Sequence, residues 1–160
     1  MYRFEQNGTK RNRFTRMCIG EAFISLLQEK EYDKIQVGDI AQKAGVSRMT
    51  YYKYYEDKDD VIVDFIYEVM NKYYYEWGRK KETVGYEEEN IQEKINFSIA
   101  FFKKFDILVK TLARHNMNNH ILDIINQYIT DKFKTESYEQ VRIRRFIAAG
   151  VYNVLCYEVM

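Results

Sequence analysis

The chain has 160 residues, a formal net charge of +1, no proline and two cysteines, which leaves room for one or two small domains, each with its own core. Nothing in that composition requires a large enzyme. With no run of eighteen apolar residues, and no basic stretch leading into an apolar one at the N-terminus, neither a membrane span nor a secretory signal is predicted, and a cytoplasmic location is expected. Cys18 and Cys156 lie far apart in apolar helical patterns and read as free thiols, not as metal ligands or a disulfide.

Charge is uneven along the chain. The first 58 residues hold eleven Lys or Arg against eight Asp or Glu, and the remaining 102 hold fourteen against sixteen. The basic excess gathers at Arg3, Lys10, Arg11, Arg13 and Arg16, a modest electrostatic footprint for a polyanion.

Apolar residues recur at helical spacing throughout, so the predicted fold class is all-α. Ile19, Ala22, Phe23, Leu26 and Leu27 share one face of a first helix, about Asn12 to Gln28. Val37, Ile40, Ala41 and Ala44 mark a second helix of about two turns. Gly45 can then take the left-handed conformation that reverses the chain, with Val46 plugging the small core. Ser47 is placed to cap a third helix, Arg48 to Tyr55.

On that third helix Tyr51 and Tyr55 are four apart and are expected to face inward, which leaves Arg48, Met49, Thr50, Tyr52, Lys53 and Tyr54 largely outside. This outer face suits a DNA major groove. Arg and Lys reach guanine edges or phosphates, Thr and Met touch thymine methyls, and tyrosine hydroxyls bond phosphate oxygens. Asp57 can cap a fourth helix, yet Lys58 puts a cation at its first position, where the macrodipole disfavours it by about 0.3–1 kcal/mol. An external phosphate would resolve that conflict, so Lys58 is expected to contact the DNA backbone.

The segment IQVGDIAQKAGVSRMTYYKYYEDKDDV, residues 35 to 61, closely resembles the DNA-binding domain of the TetR family of bacterial regulators. Ile40, Ala41, Ala44, Gly45, Val46, Ser47, Tyr52, Tyr55 and Lys58 carry the resemblance. It implies a three-helix helix-turn-helix domain over residues 1–57 and a helical ligand-sensing and dimerisation domain over 58–160. It also implies that Arg48 to Thr50 and Tyr52 to Tyr54 read or grip DNA, with Lys58, Gln36, Ser47 and Arg16 as further contacts. Glu31 stands where the family commonly has Gly, and a left-handed Glu there would cost about 1 kcal/mol.

Beyond the fourth helix, whose stripe of Val61, Ile62, Phe65, Ile66 and Val69 is predicted to link the domains, residues 79–90 read as a charged loop with a solvated run at Glu87 to Glu89. A helix from Ile91 to Leu112 is apolar around much of its circumference and is expected to be a buried central helix. A further helix runs from about Asn118 to Phe133 and a last one from Tyr138 onward. Phe146, Ala149, Gly150 and Asn153 form the predicted dimer face, and residues 146–160 look like the first of the two helices through which family members pair.

The expected function is a ligand-responsive repressor, acting as a homodimer on a palindromic double-stranded operator. The alternative is a TetR-like coactivator that works through protein contacts without DNA. Phe97, Phe101, Phe105 and Tyr128 are candidate linings for a small-molecule effector pocket, although such residues at helical spacing more often form plain core. No nucleophile with a base, phosphate loop or metal-ligand spacing is present, and His115 and His120 are five apart, so no enzyme activity, cofactor or metal is expected.

Overall fold

The computed structural model describes residues 10–84 and 91–158. Among them lie eight α-helices and two short 3-10 turns: α1 (Lys10–Glu29), a turn at Tyr32–Lys34, α2 (Val37–Lys43), α3 (Arg48–Tyr52), α4 (Lys58–Val84), α5 (Ile91–Phe102), a turn at Lys103–Phe105, α6 (Asp106–Arg114), α7 (Asn118–Lys132) and α8 (Tyr138–Glu158). No strand occurs among the described residues. The acidic run Glu87 to Glu89 lies outside them, and none of their helices is long and apolar enough to cross a membrane.

Two compact units divide the chain at Glu68 and Val69, so the first unit takes in the opening turns of α4 and runs past residue 57. The physical reason is burial. Val61, Ile62 and Phe65 of α4 are buried in this unit, as are Ile19, Phe23 and Leu27 of α1, Ile40 and Ala41 of α2, and Tyr51 and Tyr55 beyond. Without α4 the small three-helix core would lose one wall. α1 and α2 pack together, and α2 packs on α3.

A polar network is set into this apolar core. Tyr55 donates its hydroxyl to Asp64 Oδ2 at 2.6 Å, and Arg16 lies 3.1 Å from the same carboxylate. Arg16 Nη2 also donates to Glu68 Oε1 at 2.7 Å, while Arg13 Nε reaches Oε2 at 2.7 Å. Arg16, expected as a DNA contact, is turned into the unit here, its side chain only 14% exposed. Burial holds the Asp64 carboxyl above its ordinary value, although the Tyr55 hydrogen bond and Arg16 pull it down.

In the second unit α8 packs on α5, α6 and α7, burying Val151, Tyr152 and Leu155. The expected single helix from Ile91 to Leu112 is instead broken by the turn at Lys103–Phe105. Neither Gly nor Pro marks the break. The inward face of α5 is also not the apolar one: Lys94 and Ser98 are buried with Phe101, while Ile95 and Ile99 are half-buried, so α5 is a wall and not a central helix. The hydroxyl is satisfied there, since Ser98 Oγ donates to the Lys94 carbonyl at 2.6 Å and lies 2.7 Å from the Tyr73 hydroxyl.

Glu31 has φ −65° and ψ 145°, an extended conformation, so the left-handed strain expected at this position does not arise. The left-handed non-glycine among the described residues is Asn116, φ 58°, just past α6. Asn tolerates that region better than most residues and closes the helix, with Met117 N–H donating to the Leu112 carbonyl at 3.0 Å.

Arg16→Met should destabilise the protein by about 3 kcal/mol at neutral pH, because it strands the buried Asp64 without a cation while Glu68 keeps Arg13. Removing Arg16 also removes a lowering influence on Asp64, so its folded-state pKa rises further above the unfolded value. The deficit should therefore shrink as pH falls through that raised value and Asp64 takes up a proton. Urea unfolding of both proteins across pH checks the magnitude and the sign.

Candidate nucleic-acid interface

The turn between α2 and α3 is set by local chemistry. Gly45 has φ +67°, its N–H donates to the Gln42 carbonyl at 3.1 Å, and the Val46 N–H reaches back to the Ala41 carbonyl at 2.9 Å. This paired closure is available because glycine pays no side-chain penalty at positive φ. Val46 is half-buried behind it. Ser47 Oγ accepts the Thr50 N–H at 3.0 Å and lies 2.9 Å from the Thr50 hydroxyl, so Ser47 caps α3 as expected.

α3 is shorter than predicted, ending at Tyr52, and Tyr54 and Tyr55 continue it as a turn whose amides both donate to the Tyr51 carbonyl. Tyr51 and Tyr55 point inward, fully buried. The Tyr51 hydroxyl finds a partner in the Asp57 carbonyl at 2.9 Å, which makes a tyrosine tolerable in this core. Burial, with the nearby Asp57 and Asp60 adding to it, pushes its pKa up.

What remains outside α3 is a small reading face. Met49 is 85% exposed and Tyr52 58%, beside exposed Arg48 and Lys53 and half-buried Thr50. Met49 and Tyr52 thus leave apolar surface between two cations on this short helix. Gln36, at the start of α2, is exposed nearby in sequence, and its N–H donates to Asp39 Oδ2 at 3.2 Å. That bond and the neighbouring Lys30 hold the Asp39 carboxyl below its ordinary value.

Arg48 is not free of its own protein. A Cβ at Gly38 would collide with its guanidinium and stand 3.1 Å from Cζ, so the absence of a side chain on α2 gives Arg48 its seat. Gly38 has no motif around it that would draw attention in the sequence. Two other expected contacts have partners within the protein. Tyr54 donates its hydroxyl to Asn12 Oδ1 on α1 at 3.1 Å, and Lys58 Nζ donates to the Tyr32 carbonyl at 2.6 Å and the Ile35 carbonyl at 3.3 Å. Both departures need partners distant in sequence, which the local pattern could not supply.

The predicted dimer residues lie on one exposed face of α8. Phe146 is 81% exposed, and Ala149, Gly150 and Asn153 are exposed along the same side. Ile143 and Val154 extend this face; both were missed because the small-residue patch drew attention to its centre. The candidate pocket residues separate into two groups. Phe101 packs against Phe97 and Phe105, with Tyr73 against Phe97 and Phe101, whereas Tyr128 stacks on Tyr74 and donates its hydroxyl to Asn71. Cys18 and Cys156 are free and half-buried.

Comparison with known proteins places this geometry. The sequence model of the bacterial regulatory proteins of the tetR family matches residues 19–64, the span from the core of α1 to Asp64. The chain is 27% identical over 150 residues to the fatty acid metabolism regulator protein of Bacillus subtilis strain 168, covering 91% of this chain and 66% of that protein. It is 34% identical over 53 residues to the HTH-type dhaKLM operon transcriptional activator DhaS of Lactococcus lactis subsp. lactis strain IL1403, covering 33% of this chain and 28% of that protein. The chain thus spans just under two thirds of the first relative's length. In fold it is similar to the crystal structure of Lin0861 from Listeria innocua, with a TM-score of 0.73 at 15% identity over 96% of this chain and 83% of that one. With the turn, cap and exposed α3 face described above, the matched span gives the chain, all-α among its described residues, a helix-turn-helix similar to that of the bacterial regulatory proteins of the tetR family.

Proposed function

We propose that the chain is a sequence-specific regulator that binds a palindromic operator as a homodimer, represses by occupying it, and releases it in response to a small molecule. The observation that carries the first part is the exposed Met49 and Tyr52 between Arg48 and Lys53 on a capped α3, an apolar and cationic face of major-groove size. Thr50, Ser47 and Gln36 flank it, with the Ser47 and Thr50 hydroxyls bonded to each other, as further candidate backbone contacts.

Pairing supports the reading because one such face covers only a few base pairs. Two copies meet successive major grooves about 34 Å apart on a two-fold site. The exposed Ile143, Phe146 and Val154 beside Ala149, Gly150 and Asn153 offer a self-complementary face on α8 for that purpose. The second unit is the place for an effector. Half-buried Phe97, packed against Tyr73 and Trp77, is a candidate lining for it.

Selection from a random duplex pool should recover a palindrome with half-sites about one helical turn apart. Failure of the folded protein to enrich any sequence would favour a coactivator that works through protein contacts. On the selected site, Arg48→Ala should relax discrimination at one base by about 1–3 kcal/mol. Gly38→Ala should do the same by unseating Arg48, yet leave stability unchanged or raise it by up to about 1 kcal/mol, since alanine favours a helix interior. Phe146→Glu should abolish the dimer in sedimentation and lower affinity for the palindrome far more than for a single half-site.

A further inference from the structure

The side chains of α3 differ in what they have left to offer a base pair. Tyr51 is buried in the core, and the Thr50 hydroxyl lies 2.9 Å from Ser47 Oγ, which already accepts the Thr50 N–H. Arg48 is seated against Gly38 of α2, where a Cβ would stand 3.1 Å from Cζ. The Tyr52 ring meets the buried Tyr51 ring edge-on, centroids 5.6 Å apart, which steadies it at the margin of the core. Met49 has no such tie. It is 85% exposed at the second position of α3, on one face with Tyr52 and Lys53, three and four residues on. Its thioether donates no hydrogen bond and accepts only weakly, so what it brings to a groove is apolar surface on a flexible, polarisable arm.

In the donor and acceptor pattern of the major groove, the apolar group is the C5 methyl of thymine. We infer, on the reading of the first unit as a DNA binder, that Met49 is a specificity-determining residue whose side chain packs on the methyl of a thymine in each operator half-site. A donor or acceptor in that place would be desolvated by the thioether with no hydrogen bond in return, so the contact that favours thymine also disfavours the other bases. Arg48 and Lys53, both exposed, attract the polyanion and can bond base edges or phosphates. Met49 adds discrimination at a position that no hydrogen bond reads.

A deoxyuridine scan of the selected duplex, one thymine at a time, tests this directly, because uracil keeps thymine's pairing and its O4 acceptor and lacks only the methyl. At one thymine of a half-site the wild type should lose about three- to fivefold in affinity, the worth of one buried methyl. Met49→Ala removes a side chain that lies outside the core, and this variant should bind the thymine and deoxyuridine duplexes equally at that position. Its salt slope should match the wild type, since no phosphate contact is lost. Thr50→Ser removes a neighbouring methyl group but keeps a hydroxyl for Ser47, and should still sense the substitution. A half-site without thymine, a wild type indifferent to every thymine methyl, or a sensitivity that survives Met49→Ala or vanishes with Thr50→Ser would overturn the assignment. Selection that enriches no duplex with folded protein would instead defeat the DNA-binding reading itself, and the role of Met49 with it.

Discussion

The first unit depends on one buried charge. Asp64 sits almost wholly out of solvent on α4, where an isolated carboxylate would cost several kcal/mol, and it is tolerated because Tyr55 and Arg16 converge on it. Tyr55 ends the α3 segment and Arg16 comes from the middle of α1. A single oxygen thus gathers three elements whose apolar contacts alone would allow them to slide. Apolar packing fixes how much surface is buried; the directional bonds to Asp64 fix which register buries it. Glu68 extends the arrangement by holding Arg13 and Arg16 together at the last residue of the unit.

The turn, the cap and the inward tyrosines were legible in the sequence because each is decided within a few residues. Gly45 needs only its neighbours to justify a left-handed backbone, and Ser47 needs only the amide three residues on. The partners of the cations were not legible. Arg16 and Lys58 look alike as candidate phosphate contacts, since their charge is visible in the sequence while Asp64, Glu68 and the Tyr32 and Ile35 carbonyls become their neighbours only on folding. Tyr54 belongs with them, its hydroxyl met by Asn12 from the far end of α1. The same limit applies to Lys94, whose burial contradicts its polarity and follows from the walls around it. Gly38 was invisible for the opposite reason: its contribution is the space it leaves for Arg48.

The exposed set near α3 is Arg48, Met49, Tyr52 and Lys53, with half-buried Thr50 and exposed Gln36 and Ser47 alongside. The second unit follows a different logic, with stacked rings at its centre and an apolar α8 face left outside.

The most direct test is the structure of the protein bound to its selected duplex. The account predicts Met49 and Tyr52 against base edges in the major groove, with Arg16 still paired to Asp64 and Glu68. A groove filled by another face of the unit, or Arg16 swung out onto a phosphate, would contradict it.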